Sequence, residues 1–295
     1  MSSSTFDLSP LHHLPDPFPT PVGIDLWLKR DDLLHPQMSG NKWRKLKYNL
    51  VAARAGGFDT LLTFGGAFSN HLYATAAAGR LNDLKTIGIV RGDELARQPL
   101  NPTLTFCREA GMTLHFISRA DYQRKDDPAF LDELAAGFGP FYHLPEGGTN
   151  ALAVRGTAEI MPEIETQLGF APDVVACAVG TGGTVAGLAQ SASARTQVLG
   201  FVALKTQHFK LPELITNPLP LHLITDYHFG GYARTTPELL TFMAVFEQKT
   251  SVLIEPIYTA KLLFGLYDLA RRGYFPPGAR VVAVHTGGLQ GRSVG

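Results

Sequence analysis

Apolar residues in this chain fall into short, nearly unbroken runs, each followed by a longer stretch in which they recur every third or fourth position. "DTLLTFGG", "KTIGIVRG", "TLHFISR", "DVVACAVG", "QVLGFVAL" and "RVVAVHTGG" read as strands. Helical spacing follows over 41–55, in "NHLYATAAAGRL", in "PTLTFCREAG", over 151–168, from Thr184 onward, in "TPELLTFMAVFEQK" and in "TAKLLFGLYDLARRG". Gly56 and Gly57 stop the first helix, and proline opens the third. The first 23 residues or so read as an extended arm, because the five prolines of "PLHHLPDPFPTP" block regular structure; "IDLWLKRDD" then alternates like a strand. Strands that are apolar on both faces and alternate with helices predict parallel sheets covered on each side. A chain of 295 residues accommodates two such α/β units more naturally than one very wide sheet.

Composition narrows the partner. The 26 basic residues balance 26 acidic ones, so no net field favours nucleic acid or an anionic membrane, and a small molecule is expected. No apolar run approaches a membrane span, and no cationic-plus-apolar signal opens the chain, so the expected location is the cytoplasm. Cys107 and Cys177 lie in apolar settings and read as buried thiols rather than a disulfide. The ten histidines include no H-E-x-x-H and no pair at metal-ligand spacing, and there is no G-x-S-x-G elbow, so neither a metal nor a serine hydrolase is supported.

Glycines follow strand ends at 65–66, 147–148, 180–183 and 287–288, where open α/β sheets bind ligands. In "AVGTGGTVAGL" the turn Gly180, Thr181, Gly182, Gly183, Thr184 opens a helix, so backbone N–H groups and the helix N-terminus can receive a phosphate. It is not a dinucleotide fingerprint, because the last glycine of G-x-G-x-x-G would fall at Val185, and the next strand has no acid for a ribose. In "FGGAFSNHLYATA" Ser69 and Asn70 read by themselves as a helix cap. Lys42, Lys45 and Lys47 in "QMSGNKWRKLKYNL" read by themselves as a solvated helix face. Taken together, an early lysine, a Ser-Asn turn and a phosphate cradle without a nucleotide signature suit pyridoxal phosphate, a phosphorylated aldehyde that bonds a lysine.

"LKRDDL", "SGNKWRKLKY", "GGAFSNH", "LPEGGTNALAVRG", "VGTGGTVAGL", "EPIYTAKLLFGL" and "AVHTGG" occur in this order from about residue 20 to the C-terminus. The set resembles the D-cysteine desulfhydrase and 1-aminocyclopropane-1-carboxylate (ACC) deaminase family. The resemblance implies the tryptophan-synthase-β fold, fold type II of the pyridoxal phosphate enzymes, with two three-layer α/β/α domains of mostly parallel sheets. It implies a large domain of residues 1–47 and 148–295, a small one of 48–147, a cleft that closes over substrate, and a homodimer.

By the same resemblance Lys42 bonds the cofactor aldehyde, leaving Arg44, Lys45 and Lys47 as solvated residues without a chemical role. Asn70 meets the ring hydroxyl, Ser69 meets the substrate carboxylate or helps move its α-proton, and the 180–184 turn cradles the phosphate. Tyr232 and Tyr258 match the active-site tyrosines. Thr259 stands where an ACC deaminase carries glutamate opposite the pyridine nitrogen, and Thr286 where it carries leucine. Both, with His71 after Ser-Asn, follow the desulfhydrase pattern. The chain is also shorter than the pattern between about 203 and 228. The implied activity is α,β-elimination on a small amino acid, D-cysteine foremost. ACC deamination, elimination from a related substrate such as L-cysteate, and cofactor binding without turnover remain as alternatives.

Overall fold

The computed structural model describes residues 8–38, 40–206 and 221–293. In chain order the elements are β1 (Leu11–His13), β2 (Asp25–Lys29), α1 (Asn41–Ala55), β3 (Thr60–Gly65), α2 (Asn70–Asn82), β4 (Lys85–Arg91), α3 (Pro102–Glu109), β5 (Met112–Ile117), α4 (Arg119–Tyr122) and α5 (Pro128–Phe138). They continue with β6 (Tyr142–Leu144), α6 (Ala151–Ala158), α7 (Ile160–Leu168), β7 (Val174–Val179), α8 (Gly183–Ser191), β8 (Gln197–Val202), β9 (Leu221–Ile224), α9 (Pro237–Thr250), α10 (Thr259–Arg271) and β10 (Arg280–Val284).

Two compact units emerge: residues 1–41 with 157–295, and residues 42–156. Their boundaries fall at the start of α1 and near the end of α6, whereas the sequence-based ones lie inside α1 and just before α6.

The first unit carries a six-stranded sheet in the order β1-β2-β10-β7-β8-β9. Only β1 runs antiparallel to its neighbour. The strands bury both faces, as their unbroken apolar runs require. On β7, Val174, Ala176 and Ala178 face the α9–α10 side with Leu239, Phe242, Phe246, Leu262 and Leu266. Val175, Cys177 and Val179 face the α7–α8 side with Ile160, Ile164, Val185 and Leu188. That alternation is the pleat of one strand serving two helix layers.

The second unit carries a four-stranded, all-parallel sheet in the order β5-β4-β3-β6. Leu72 and Ala76 of α2 with Leu104 and Cys107 of α3 pack against one set of its side chains. Phe130 and Leu134 of α5 pack on Leu62, Phe64, Ile87 and Ile89. Cys107 and Cys177 are both buried, and neither forms a disulfide.

Three local readings change. The N-terminal arm contains a strand, because Leu11–His13 lies between prolines and adds to a sheet edge, where missing N–H donors do least harm. The helix read over 151–168 divides at Glu159: Pro162 has no N–H to offer the Ala158 carbonyl, so the ladder is interrupted there. The 3-residue β6, the 4-residue β9 and the helices α4 and α5 were not anticipated; the two strands are too short to establish a period. The part of the shortened 203–228 region that spans 207–220 lies outside the described residues.

Helix α8 seats closely because Gly187 has no side chain. A Cβ there would lie 2.1 Å from Thr157 Oγ1 and 2.7 Å from the Ala158 nitrogen. Gly187→Ala should therefore lose about 1–3 kcal/mol by overpacking against backbone, read as a lowered urea midpoint at unchanged m value; an unshifted midpoint contradicts this packing.

Candidate active site

The second unit gathers four of the residues singled out in sequence. Lys42 lies in the first turn of α1, and its Nζ reaches the Gly147 carbonyl at 3.5 Å. Burial pushes its pKa down to about 8. Lys45, one turn further, donates to the same carbonyl at 2.9 Å and to Thr149 Oγ1 at 3.0 Å. The solvated-face reading of this helix is therefore corrected: Arg44 and Lys45 are buried, and Lys47 is half-buried. A basic run has no period that distinguishes a wet face from one turned toward carbonyl acceptors.

Gly147 and Gly148 both adopt positive φ, 66° and 68°, which is how the turn presents its carbonyl to two lysines. A Cβ on Gly148 would lie 2.7 Å from His71 Cε1. His71 is buried, and neither ring nitrogen has a hydrogen-bond partner. Burial, then the nearby charges of Lys42 and Lys45, hold its pKa well below the ordinary range, so the ring is neutral. Ser69 caps α2: its Oγ accepts from the N–H groups of His71 and Leu72, each at 3.2 Å. Asn70 begins the same helix and is half-buried.

The first unit gathers the remainder. The 180–184 turn leads from β7 into α8, with Gly182 at φ 87° as an N-cap that supplies no side-chain acceptor. The first N–H groups of α8 thus meet no oxygen from the cap side chain and carry the positive end of the helix. Thr157 Oγ1 donates to the Gly183 carbonyl at 3.0 Å, and Asn41 Nδ2 donates to Thr184 Oγ1 at 2.8 Å. Asn41 also donates its backbone N–H to the Thr286 carbonyl at 3.3 Å. Gly40 is pressed so close that a Cβ would lie 1.8 Å from that oxygen. Thr184 and Thr286, from two turns distant in sequence, therefore meet at Asn41, and the next residue in the chain is Lys42.

Tyr258 covers Gly180, whose Cβ would lie 3.3 Å from the phenol oxygen. The rings of Tyr232 and Tyr258 have centroids 6.3 Å apart. Thr259 is the first residue of α10 and is buried, its Oγ1 without a partner at hydrogen-bond geometry. Sequence reasoning passed over Glu255, whose carboxylate accepts from the backbone N–H groups of Ile257 (2.7 Å), Tyr258 (3.0 Å) and Thr259 (2.5 Å). Burial raises its pKa while those donors, with the Thr259 hydroxyl nearby, pull it back. An acid just ahead of a helical run was the available signal. His285 Nε2 donates to the Leu253 carbonyl at 2.8 Å and Nδ1 accepts from Gly287, orienting the turn that holds Thr286.

These residues fit a phosphorylated aldehyde. A helix end with no side-chain cap suits a phosphate, a half-buried lysine with lowered pKa suits an aldehyde, and the Thr259 hydroxyl, without a hydrogen-bond partner, suits a ring heteroatom. A sequence profile described as "Pyridoxal-phosphate dependent enzyme" matches residues 7–287. The chain belongs to this family.

Its fold is fold type II, the tryptophan-synthase-β fold, and the family's cofactor is pyridoxal phosphate. Among relatives, an Arabidopsis thaliana protein named bifunctional D-cysteine desulfhydrase/1-aminocyclopropane-1-carboxylate deaminase, mitochondrial, is 32% identical over 99% of this chain and 80% of its own. A Pyrococcus horikoshii protein provisionally named 1-aminocyclopropane-1-carboxylate deaminase is 30% identical over 96% of this chain and 90% of its own. A solved structure described as an ACC deaminase homologue matches with TM-score 0.85 at 29% identity, over 96% of this chain and 90% of its own. Among the described residues no helix is long and apolar enough to cross a membrane.

A lysine with pKa near 8 has about a tenth of its amine neutral at pH 7, against about one part in a few thousand for an ordinary lysine. In protein freed of cofactor, cyanate at pH 7 should carbamylate Lys42 about tenfold faster than the exposed Lys85, as mapped by mass spectrometry. The Lys42 rate should climb as pH rises through 8 and then level off, and equal rates at the two lysines would contradict the lowered pKa.

Proposed function

We propose that this enzyme is a lyase that eliminates across Cα and Cβ of a small amino acid, with D-cysteine as substrate and pyruvate, ammonia and hydrogen sulfide as products. The observation that carries this reading is Thr259: a buried hydroxyl without a hydrogen-bond partner, beside a Glu255 carboxylate already engaged by three backbone N–H groups. A hydroxyl facing a pyridine nitrogen leaves it largely neutral, whereas a carboxylate keeps it protonated and makes the ring a stronger electron sink. The weaker sink suffices when thiolate, a good leaving group, departs from Cβ as the Cα–H bond breaks. Opening a cyclopropane asks more of the ring.

Bound pyridoxal phosphate supplies an aldehyde for the substrate amine and a ring that accepts electron density. Lys42 would hold that aldehyde and, as a free amine, would take the Cα proton. The 180–184 turn at the start of α8 would hold the phosphate, and Asn70 would meet the ring hydroxyl. Ser69, His71 and Thr286 receive the substrate, with His71 neutral and adding no charge of its own. Tyr232 and Tyr258 present their phenols to the reacting carbons. The sulfur leaves with a proton as hydrogen sulfide, and the released enamine takes up one water to give pyruvate and ammonia. Cytoplasmic location and a homodimer belong to the same proposal, supported by two cysteines that form no disulfide and by the family resemblance.

ACC deamination is the second reading, favoured by the names of the Arabidopsis and Pyrococcus relatives. Keto-acid production from D-cysteine, L-cysteine, β-chloro-D-alanine, L-cysteate and ACC separates the two. Pyruvate from D-cysteine is expected to dominate; 2-oxobutyrate from ACC with silence on every other compound would overturn the first reading. Borohydride reduction of the holoprotein followed by peptide mapping should place the cofactor on Lys42, and Lys42→Ala should retain none covalently while keeping its fold. A label on any other lysine removes the central assignment.

A further inference from the structure

Lys261 is a buried cation whose role the family assignment does not supply. Its Nζ donates to two backbone carbonyls, His228 at 2.9 Å and Gly231 at 2.7 Å. It is 1% exposed, and burial lowers its pKa to about 8 although Glu255 pulls the other way. A lysine removed from water whose hydrogen bonds go to carbonyls is costly to fold in, even with the Glu255 charge nearby, which directs attention to what those carbonyls hold.

They belong to a strained turn. Phe229, Gly230, Gly231 and Ala233 all have positive φ, at 51°, 91°, 116° and 54°. Two of the four carry side chains, in a region that L residues adopt at a cost. Local bonds close the turn: Gly230 N–H to His228 Nδ1 at 2.9 Å, Gly231 N–H to the His228 carbonyl at 2.9 Å, and Arg234 N–H to the Gly231 carbonyl at 3.2 Å. Further ties come from α10, and from β8, where Phe201 meets the Tyr227 ring at 6.0 Å between centroids. Phe264 meets Phe229 edge-on at 5.0 Å, Asp268 accepts from the Tyr227 hydroxyl at 2.8 Å, and Gly265 leaves room for the Tyr227 ring. Positions 261, 264, 265 and 268 form one helix stripe, so α10 grips 227–231 along two turns. Tyr232 is the next residue, and Tyr258, 6.3 Å from it between ring centroids, immediately precedes the same helix.

We propose that Lys261 is a positioning residue: its ammonium pins the 228–231 turn, so that one helix sets Tyr232 and Tyr258 at a fixed separation for substrate. The inference rests on the reading of Tyr232 as an active-site residue. Without the ammonium the His228 and Gly231 carbonyls keep only their local N–H donors, those of Gly231 and Arg234, and the strained turn relaxes, carrying Tyr232 away from Tyr258.

The test compares four holoenzymes, Tyr232→Phe, Lys261→Met, Lys261→Arg and the double variant Tyr232→Phe/Lys261→Met, with the parent on the amino acid it turns over fastest. Lys261→Met should lower kcat/KM about tenfold in the parent and less than about twofold in the Tyr232→Phe background, because the lysine acts through the tyrosine. Lys261→Arg, which can also donate to two carbonyls, should recover part of the loss. Independently of turnover, trypsin should cut after the exposed Arg234 about fivefold faster in Lys261→Met than in the parent, as expected of a loosened segment. Equal losses in both backgrounds, or an unchanged trypsin rate, overturn the proposal. An unaltered rate in Tyr232→Phe overturns the reading of Tyr232 instead, while the trypsin arm still reports whether the turn is pinned. If Lys261→Met does not fold, Lys261→Gln, which retains one N–H donor group, carries the same comparisons.

Discussion

The first unit's part of the site depends on one asparagine. Asn41 ties its backbone N–H to the Thr286 carbonyl and its side chain to Thr184 Oγ1, joining the turn after β10 to the turn after β7. Gly40 makes this possible by lacking any atom where the Thr286 carbonyl lies. The peptide bond then carries the constraint to Lys42, so the lysine's backbone starts from a point set by both turns. A contact of this kind needs no large energy of its own. A neutral hydrogen bond contributes about 1 kcal/mol net, and its importance here is that two sequence-distant turns share a single anchor.

Within each unit an amine sits against backbone carbonyls. Lys42 and Lys45 share the Gly147 carbonyl, and Lys261 meets those of His228 and Gly231. Carbonyl dipoles satisfy an ammonium's donors without cancelling its charge, so burial acts almost alone on Lys42 and its pKa falls. Burial first, and then the nearby charges of Lys42 and Lys45, keep His71 neutral. Glu255 shows the converse arrangement, a buried carboxylate held by the N–H groups that open α10, which leaves Thr259 as the polar side chain at that helix start. Each unit thus contributes mainly backbone dipoles and neutral hydroxyls, surroundings in which a lysine amine near neutral pH is more reactive.

Much of this was legible along the chain because it depends on local rules. Unbroken apolar runs of six residues announce parallel strands with two buried faces, and β7 obeys this with alternate residues in two separate cores. Gly-Thr-Gly-Gly-Thr after a strand announces a turn into a helix, and the structure has that turn, with positive φ at Gly182 at the start of α8. Ser69 as a cap was likewise a local reading, and its oxygen does accept from two N–H groups of α2. What stayed hidden is non-local. A lysine face has no period that says whether water or carbonyls lie opposite, so the burial of Arg44 and Lys45 is not legible in it. Lys261 was unreadable for the same reason, because its acceptors lie 33 and 30 residues upstream.

By itself, then, the sequence determined the element types, the parallel sheets, the glycine turns and the ordered motifs that name the family, all of them consequences of period, backbone freedom and short-range capping. Tertiary structure alone decided which turn meets Asn41, which lysines lose water, which carboxylate is consumed at a helix start and which helix grips the Tyr232 turn. Those outcomes depend on distances between residues far apart in the chain, and the free energy of a charge follows from what surrounds it in space.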